Sequence, residues 1–225
     1  MSEADAAAIR NEIVGVARAL RERGLAIGTS GNVGAWLDDG RIAITPSTMD
    51  YDEMTPDDVV IVGADGSPSE GRHRPSSELA LHVAVFAARP NVRAIVHTHS
   101  PFAATYAAVR RPVPAAHYIL ALLVGPGRDT LNVARYATFG TEELARNAVE
   151  ALGGDNAVLL ANHGAIAVAG SLRSALARAE RVEELAMIAW RAEQLGGATL
   201  LDAAELDRVR EQMGRFPRQT GRAEQ

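Results

Sequence analysis

The 225-residue chain contains no cysteine and no lysine; all 23 of its basic residues are arginine. Without cysteine there is no disulfide, no thiolate metal ligand and no thiol nucleophile. Without lysine there is no amine for Schiff-base chemistry, for holding pyridoxal phosphate or for a Walker-type phosphate loop. No apolar run reaches membrane-spanning length, and Glu3 and Asp5 stand among alanines where a targeting segment would be basic and then apolar, so a soluble, cytoplasmic chain is expected. The net charge is −5, with arginines scattered among acids, and neither nucleic acid nor an anionic membrane is indicated as a partner. Small molecules remain. The chain is 47% hydrophobic without a break in composition, so residues 1–225 read as a single domain.

Ile9, Ile13, Val16, Ala17 and Leu20 recur at helical spacing over Ala6 to Arg23, with Gly24 where a helix would be capped. A glycine- and hydroxyl-rich turn, Gly28 to Gly34, precedes short strands near Ala35 to Leu37, Arg41 to Ile44 and Val59 to Val62. Pro75-Ser-Ser-Glu78 opens a helix to about Ala88, with Glu78 expected in its first turn. Helices are also expected over Pro101 to Val109, Thr141 to Leu152, Ser171 to about Leu195 and Asp202 to Met213. Ala157 to Leu160 reads as a buried strand that Ile166 to Val168 continues. Pro112 to His117 reads as extended, and the apolar segment Tyr118 to Val124 fits either helix or strand. The tail after Pro217 is polar and expected to be loose. Short strands wrapped by helices give a layered α/β domain.

Ala94, Ile95 and Val96 form a short apolar strand, and strand alternation then points His97 and His99 the same way. Paired neutral imidazoles on a rigid element suit a borderline divalent metal such as zinc. His163, at the end of the second buried strand and just before Gly164, is a candidate third ligand. Glu78, on the helix that leads into the histidine strand, suits a fourth ligand, a general base, or each in turn; as a plain first-turn acid it would only complement the helix dipole. His82 follows one helical turn later and reads more readily as packing, and His73 in its Gly-Arg-His-Arg loop as solvated. Gly28 to Asn32, Thr45 to Thr48 and Ser76-Ser77 supply hydroxyls, amides and a helix start able to hold phosphate without lysine. Tyr118 offers a phenol for proton transfer.

These segments in order, Gly28-Thr-Ser-Gly-Asn32, Ile44-Thr-Pro-Ser47, Pro75-Ser-Ser-Glu78, Val96-His-Thr-His99, His117-Tyr118, Tyr136-Ala-Thr-Phe-Gly140 and Asn162-His-Gly164, resemble the class II aldolase and adducin family. The resemblance runs from the first helix to the long helix after Ser171. It implies a three-layer fold whose central, mostly antiparallel sheet is flanked by helices. It implies a zinc ion, or manganese or cobalt in its place, on His97, His99 and His163, with Glu78 as the acid and base that also touches the metal. Thr29, Gly31, Asn32, Ser47, Thr48, Ser76 and Ser77 would hold the substrate phosphate, and Tyr118 would serve the aldehyde end. The implied reaction is reversible cleavage of a short ketose 1-phosphate, of the L-fuculose 1-phosphate kind, to dihydroxyacetone phosphate and a hydroxyaldehyde. It implies, too, a C4 homotetramer with active sites at subunit boundaries. Decarboxylases, dehydratases and 4-epimerases of related phosphosugars belong to the same family, as do adducin-like modules without catalysis. Three departures bear on the substrate: Thr48 replaces a usual glycine, Leu122 to Val133 is irregular, and no tyrosine follows Phe216.

Overall fold

The computed structural model describes residues 3–215, so the expected loose tail lies outside the described residues. The elements in chain order are α1 (Glu3–Glu22), β1 (Asn32–Trp36), β2 (Ile42–Ile44), β3 (Val60–Val62), β4 (Pro68–Glu70), α2 (Leu79–Ala88), β5 (Ala94–Thr98), α3 (Pro101–Ala108), β6 (Val113–Pro114), β7 (Thr130–Leu131), β8 (Val133–Ala134), α4 (Glu142–Leu152), β9 (Ala157–Leu160), β10 (Gly164–Ala169), α5 (Leu172–Gln194) and α6 (Ala203–Arg215). Eight strands form one sheet in the order β4-β3-β2-β1-β5-β10-β9-β8, and β6 pairs with β7 apart from it. Every neighbouring pair in the large sheet is antiparallel except β8 with β9. The mostly antiparallel, three-layer α/β expectation therefore holds.

Strand alternation sends Val33, Ala35, Ala94 and Val96 to one face, under Ile13 and Leu20 of α1, Ala103 of α3 and Leu185 of α5. Ile42, Ile44, Ile95 and Ile166 go to the other, under Leu81 and Val85 of α2 and Leu144 of α4. Local chemistry marks the ends. Thr141 Oγ1 accepts from Leu144 N at the start of α4, and Ser171 Oγ from Ser174 N at the start of α5. Each such cap stabilises its helix by about 1 kcal/mol.

The structure departs from the sequence reading in places. Ile166 to Val168 does not continue β9; the chain reverses at Asn162, which adopts φ 54°, and β10 runs back antiparallel with Ala165 opposite Leu159. Glu78 is not inside the first turn but immediately precedes α2, at φ −101° and ψ 20°. Tyr118–Leu122 is a 3-10 turn, with Ile119 N donating to His117 Nδ1 at 3.3 Å. His73 is not merely solvated, since its Nε2 lies 2.8 Å from Oδ1 of the buried Asp58. β6 falls within the expected extended piece Pro112 to His117, whereas β4, β7 and β8 had no expected counterpart; these are two or three residues long, too short for a periodic signal.

Candidate active site

β5 lies between β1 and β10, with His97 opposite Asn32 on one side and Ile166 on the other. His97 is completely buried, and its Nδ1 is 2.9 Å from the Ala165 carbonyl oxygen. Nδ1–H therefore donates to that oxygen, which leaves Nε2 to face the cleft. There it is 2.9 Å from His99 Nε2 and 2.9 Å from Glu78 Oε2. His163, brought in by the β9–β10 reversal, has Nε2 3.3 Å from Glu78 Oε1. The three rings meet edge-on with centroids 4.7 to 4.8 Å apart.

Burial alone pushes the Glu78 carboxyl up, but the His97 and His163 imidazoles and the Asn32 amide outweigh it and hold Glu78 below the usual carboxylate range. Burial also disfavours the His97 cation, and Glu78 overrides this to raise it. Burial first, then the neighbouring His97, lowers both His99 and His163 to about 4. An ionised carboxylate and three imidazole nitrogens gathered at one point are the donor set of a divalent cation site. One ligand atom from each of Glu78, His97, His99 and His163 falls within 4.8 Å of the others. Glu78 Oε1 is buried without a hydrogen-bond partner, an acceptor that a cation would satisfy. The His97 Nδ1–H to carbonyl bond is the outer-shell contact that orients a metal-binding imidazole. These residues fit a metal.

Above the histidines opens a cleft of about 340 Å³, within the range of small-molecule sites. Thr29, Gly31, Asn32, Ser47, Thr48, Ser76 and Ser77 all line it, as do Glu78, His99 and His163. Two of these loops are stitched together: Ser76 N donates to Thr45 O and Ser47 N to Arg74 O, each at 3.0 Å. The third is tied down by the buried Tyr51, whose hydroxyl donates to Gly31 O at 2.6 Å. Gly31, at φ 76°, has to be glycine, because a Cβ would lie 2.7 Å from the His97 carbonyl oxygen. Among the described residues the N–H groups of Thr29, Gly31, Thr48 and Ser77 donate to no backbone acceptor.

Two hydroxyl or amide groups have further tasks. Thr48 holds φ 56°, the left-handed conformation for which a glycine would be the easier residue, and its hydroxyl donates to Ser47 O at 2.8 Å. Asn32 is buried, with Nδ2 2.9 Å from Glu78 Oε2 and Oδ1 2.6 Å from His82 Nε2. Tyr118 does not line the cleft of its own chain; it is half-exposed and stacked on His117 at 4.5 Å. The far wall instead carries Tyr136 and Phe139, both largely exposed. Gly140, at φ 75°, presses this segment against the Ser77 carbonyl, where a Cβ would come within 2.8 Å. In the sequence Tyr136 to Gly140 stands only as a segment of the family resemblance, with no role for either aromatic, because only the tertiary fold brings them to the cleft that His99 and His163 line.

Residues 11–190 match the family described as Class II Aldolase and Adducin N-terminal domain. The chain belongs to this family. This class II aldolase, a lyase, is 41% identical over 204 residues to the 5-methylthioribulose-1-phosphate/5-deoxyribulose-1-phosphate aldolase of Rhodospirillum rubrum, covering 91% of this chain and 90% of that one. It is 36% identical over 180 residues to the L-fuculose phosphate aldolase of Escherichia coli K12, covering 80% and 81%. The solved structure of an L-fuculose 1-phosphate aldolase superposes on the aldolase with a TM-score of 0.89 at 36% identity, covering 95% of this chain and 98% of that one. No helix among the described residues of the aldolase is long and apolar enough to cross a membrane.

Proposed function

We propose that this aldolase cleaves a five-carbon ketose 1-phosphate with an apolar or deoxy terminus between C3 and C4, giving dihydroxyacetone phosphate from C1 to C3 and a two-carbon aldehyde, acetaldehyde or its methylthio derivative, from C4 and C5. The observation that carries this reading is the facing arrangement in one cleft: a buried carboxylate among three imidazoles on its floor, and loops of hydroxyls and free amides beside it. His97, His99 and His163, with Glu78, would hold zinc, or manganese or cobalt. Such a cation supplies positive charge that stabilises the enediolate left when the carbon–carbon bond breaks. The backbone N–H groups of Thr29, Gly31, Thr48 and Ser77, with the Ser47 and Ser76 hydroxyls and the remaining Asn32 N–H, orient the phosphate. Glu78, kept ionised by its neighbours, takes up and returns the proton at the enediolate carbon.

Two relatives named for methylthioribulose or deoxyribulose 1-phosphates share 41% and 40% identity with this chain, against 36% for those named for fuculose phosphate and for a further methylthioribulose-phosphate relative. The Tyr136 and Phe139 wall is compatible with this reading, since an aromatic surface suits a methyl or thioether end. A homotetramer with sites at subunit boundaries is part of this reading: it gives the half-exposed Tyr118 a role at the aldehyde end of a neighbouring cleft. The test is release of dihydroxyacetone phosphate from 5-deoxyribulose, 5-methylthioribulose and L-fuculose 1-phosphates, each with zinc or manganese present. The two pentulose phosphates should react with the higher kcat/KM. Loss of water or carbon dioxide from a phosphosugar, without carbon–carbon cleavage of any of the three, would overturn the proposal in favour of a dehydratase or decarboxylase.

A further inference from the structure

His82 is fully buried on α2, and its side chain bonds to Asn32. It lies one helical turn beyond Glu78, and Phe86 lies one turn beyond it. Four residues of helix rise about 6 Å and two residues of strand about 6.8 Å, so this face of α2 keeps step with alternate residues of β1. The matched rungs are Glu78 with Asn32, His82 with Asn32 and Gly34, and Phe86 with Trp36, whose ring centroids are 5.7 Å apart.

We propose that His82 is a positioning residue for Glu78, acting through the side-chain amide of Asn32. The assignment rests on the reading of Glu78 as the acid and base. An ionised carboxylate only accepts, so the group Asn32 turns toward Glu78 Oε2 is its NH2, at 2.9 Å. Its carbonyl Oδ1 then faces His82 Nε2 at 2.6 Å, and that nitrogen has to carry the proton. The other ring nitrogen, Nδ1, is buried without a hydrogen-bond partner. It lies so close to β1 that a Cβ on Gly34 would be 2.4 Å away. The imidazole is thus held as a neutral, one-ended donor, and burial, which pushes it down to about 3, keeps it so. A donor of fixed direction prevents the amide from flipping. An unflipped amide keeps Oε2 in place and leaves Oε1, the unpartnered oxygen, as the one turned to His163 and the cleft. Gly34 is part of the same device, because any larger residue would displace the ring.

With saturating metal, His82→Phe should lower kcat about 10- to 100-fold, the usual effect of a partner that orients a site group, with a smaller rise in KM through the one Asn32 N–H that also faces the phosphate. His82→Gln, whose amide nitrogen can take the place of Nε2–H, should recover most of kcat. Gly34→Ala should reproduce the His82→Phe loss. Independently of turnover and of whether any variant folds, long-range ¹H–¹⁵N spectra of the full-length wild-type protein without added metal should show His82 neutral at pH 7 and protonated on Nε2. A proton on Nδ1, an imidazolium, or a His82→Phe enzyme with wild-type kcat or with only KM raised would overturn the assignment. If Glu78→Gln itself turned over normally, the acid–base reading would fall instead, which separates the two failures.

Discussion

Gly164 lies against the carbonyl of Thr98: a Cβ on Gly164 would come within 2.1 Å of that oxygen and 3.2 Å of the His99 ring. The contact joins the start of β10 to the end of β5, between the two segments that carry the metal-site histidines. Gly164→Ala should therefore force β5 and β10 apart, costing about 1 to 3 kcal/mol of stability, the usual range for overpacking. It should also weaken metal binding. Urea unfolding and metal titration of the purified variant check both; unchanged values would show that the strands yield without moving the histidines.

His97 reaches the cluster from the centre of the sheet, so His97→Ala removes one of the three imidazoles proposed to hold the metal. Wild-type protein should retain about one zinc, manganese or cobalt ion per chain after metal supplementation, and the variant should retain little. Elemental analysis decides this, and wild type without metal would sink the enzyme mechanism.

Glu78→Gln keeps the size of the side chain and removes its proton transfer. Turnover should fall by roughly two to four orders of magnitude. Exchange of the dihydroxyacetone phosphate proton with solvent deuterium, followed by NMR without aldehyde, should be seen in wild type and be lost in the variant while metal stays bound. Exchange at the wild-type rate would reduce Glu78 to a structural or metal-side residue.

Acid should destabilise the metal-free protein in a window that His82 helps to set. Burial lowers its pKa from 6.5 to about 3, with Glu78 and His97, the charged groups nearby, acting in opposite directions. As the pH falls from about 6.5 toward about 3, the unfolded chain binds a proton that the folded chain refuses. Stability attributable to His82 is then lost at up to about 1.4 kcal/mol per pH unit; above about 6.5 both states are neutral and the contribution is flat. Between pH 7 and pH 5 the urea midpoint of wild type should drop further than that of His82→Gln. Equal drops would mean that His82 is not held neutral in the fold.

Ser77 lines the cleft, and in the proposed reaction it holds the phosphate, away from the bond that breaks. Ser77→Ala should raise KM several-fold with kcat nearly unchanged, since such a contact is made equally in ground and transition states. A matching fall in kcat would place Ser77 in the chemical step instead.

The amino-acid sequence by itself determined the excluded chemistry, the helices and the direction of two imidazoles. No fold could supply the missing thiols and amines, Thr141 and Ser171 cap the helices they precede, and His97 and His99 share a side because a strand has a period of two. Only tertiary structure decided what those imidazoles meet. Asn32 finds Glu78 across 46 residues, His82 finds Asn32 across 50 and His97 finds Ala165 across 68, each through strand register or helix placement that local patterns do not encode. The reversal at Asn162, which looks like a continuing strand in sequence, delivers His163 because β10 pairs back on β9. The same packing turned Glu78 from a helix-start acid into the carboxylate of the site: its desolvation is offset by imidazoles and an amide that exist as neighbours only once the sheet has formed.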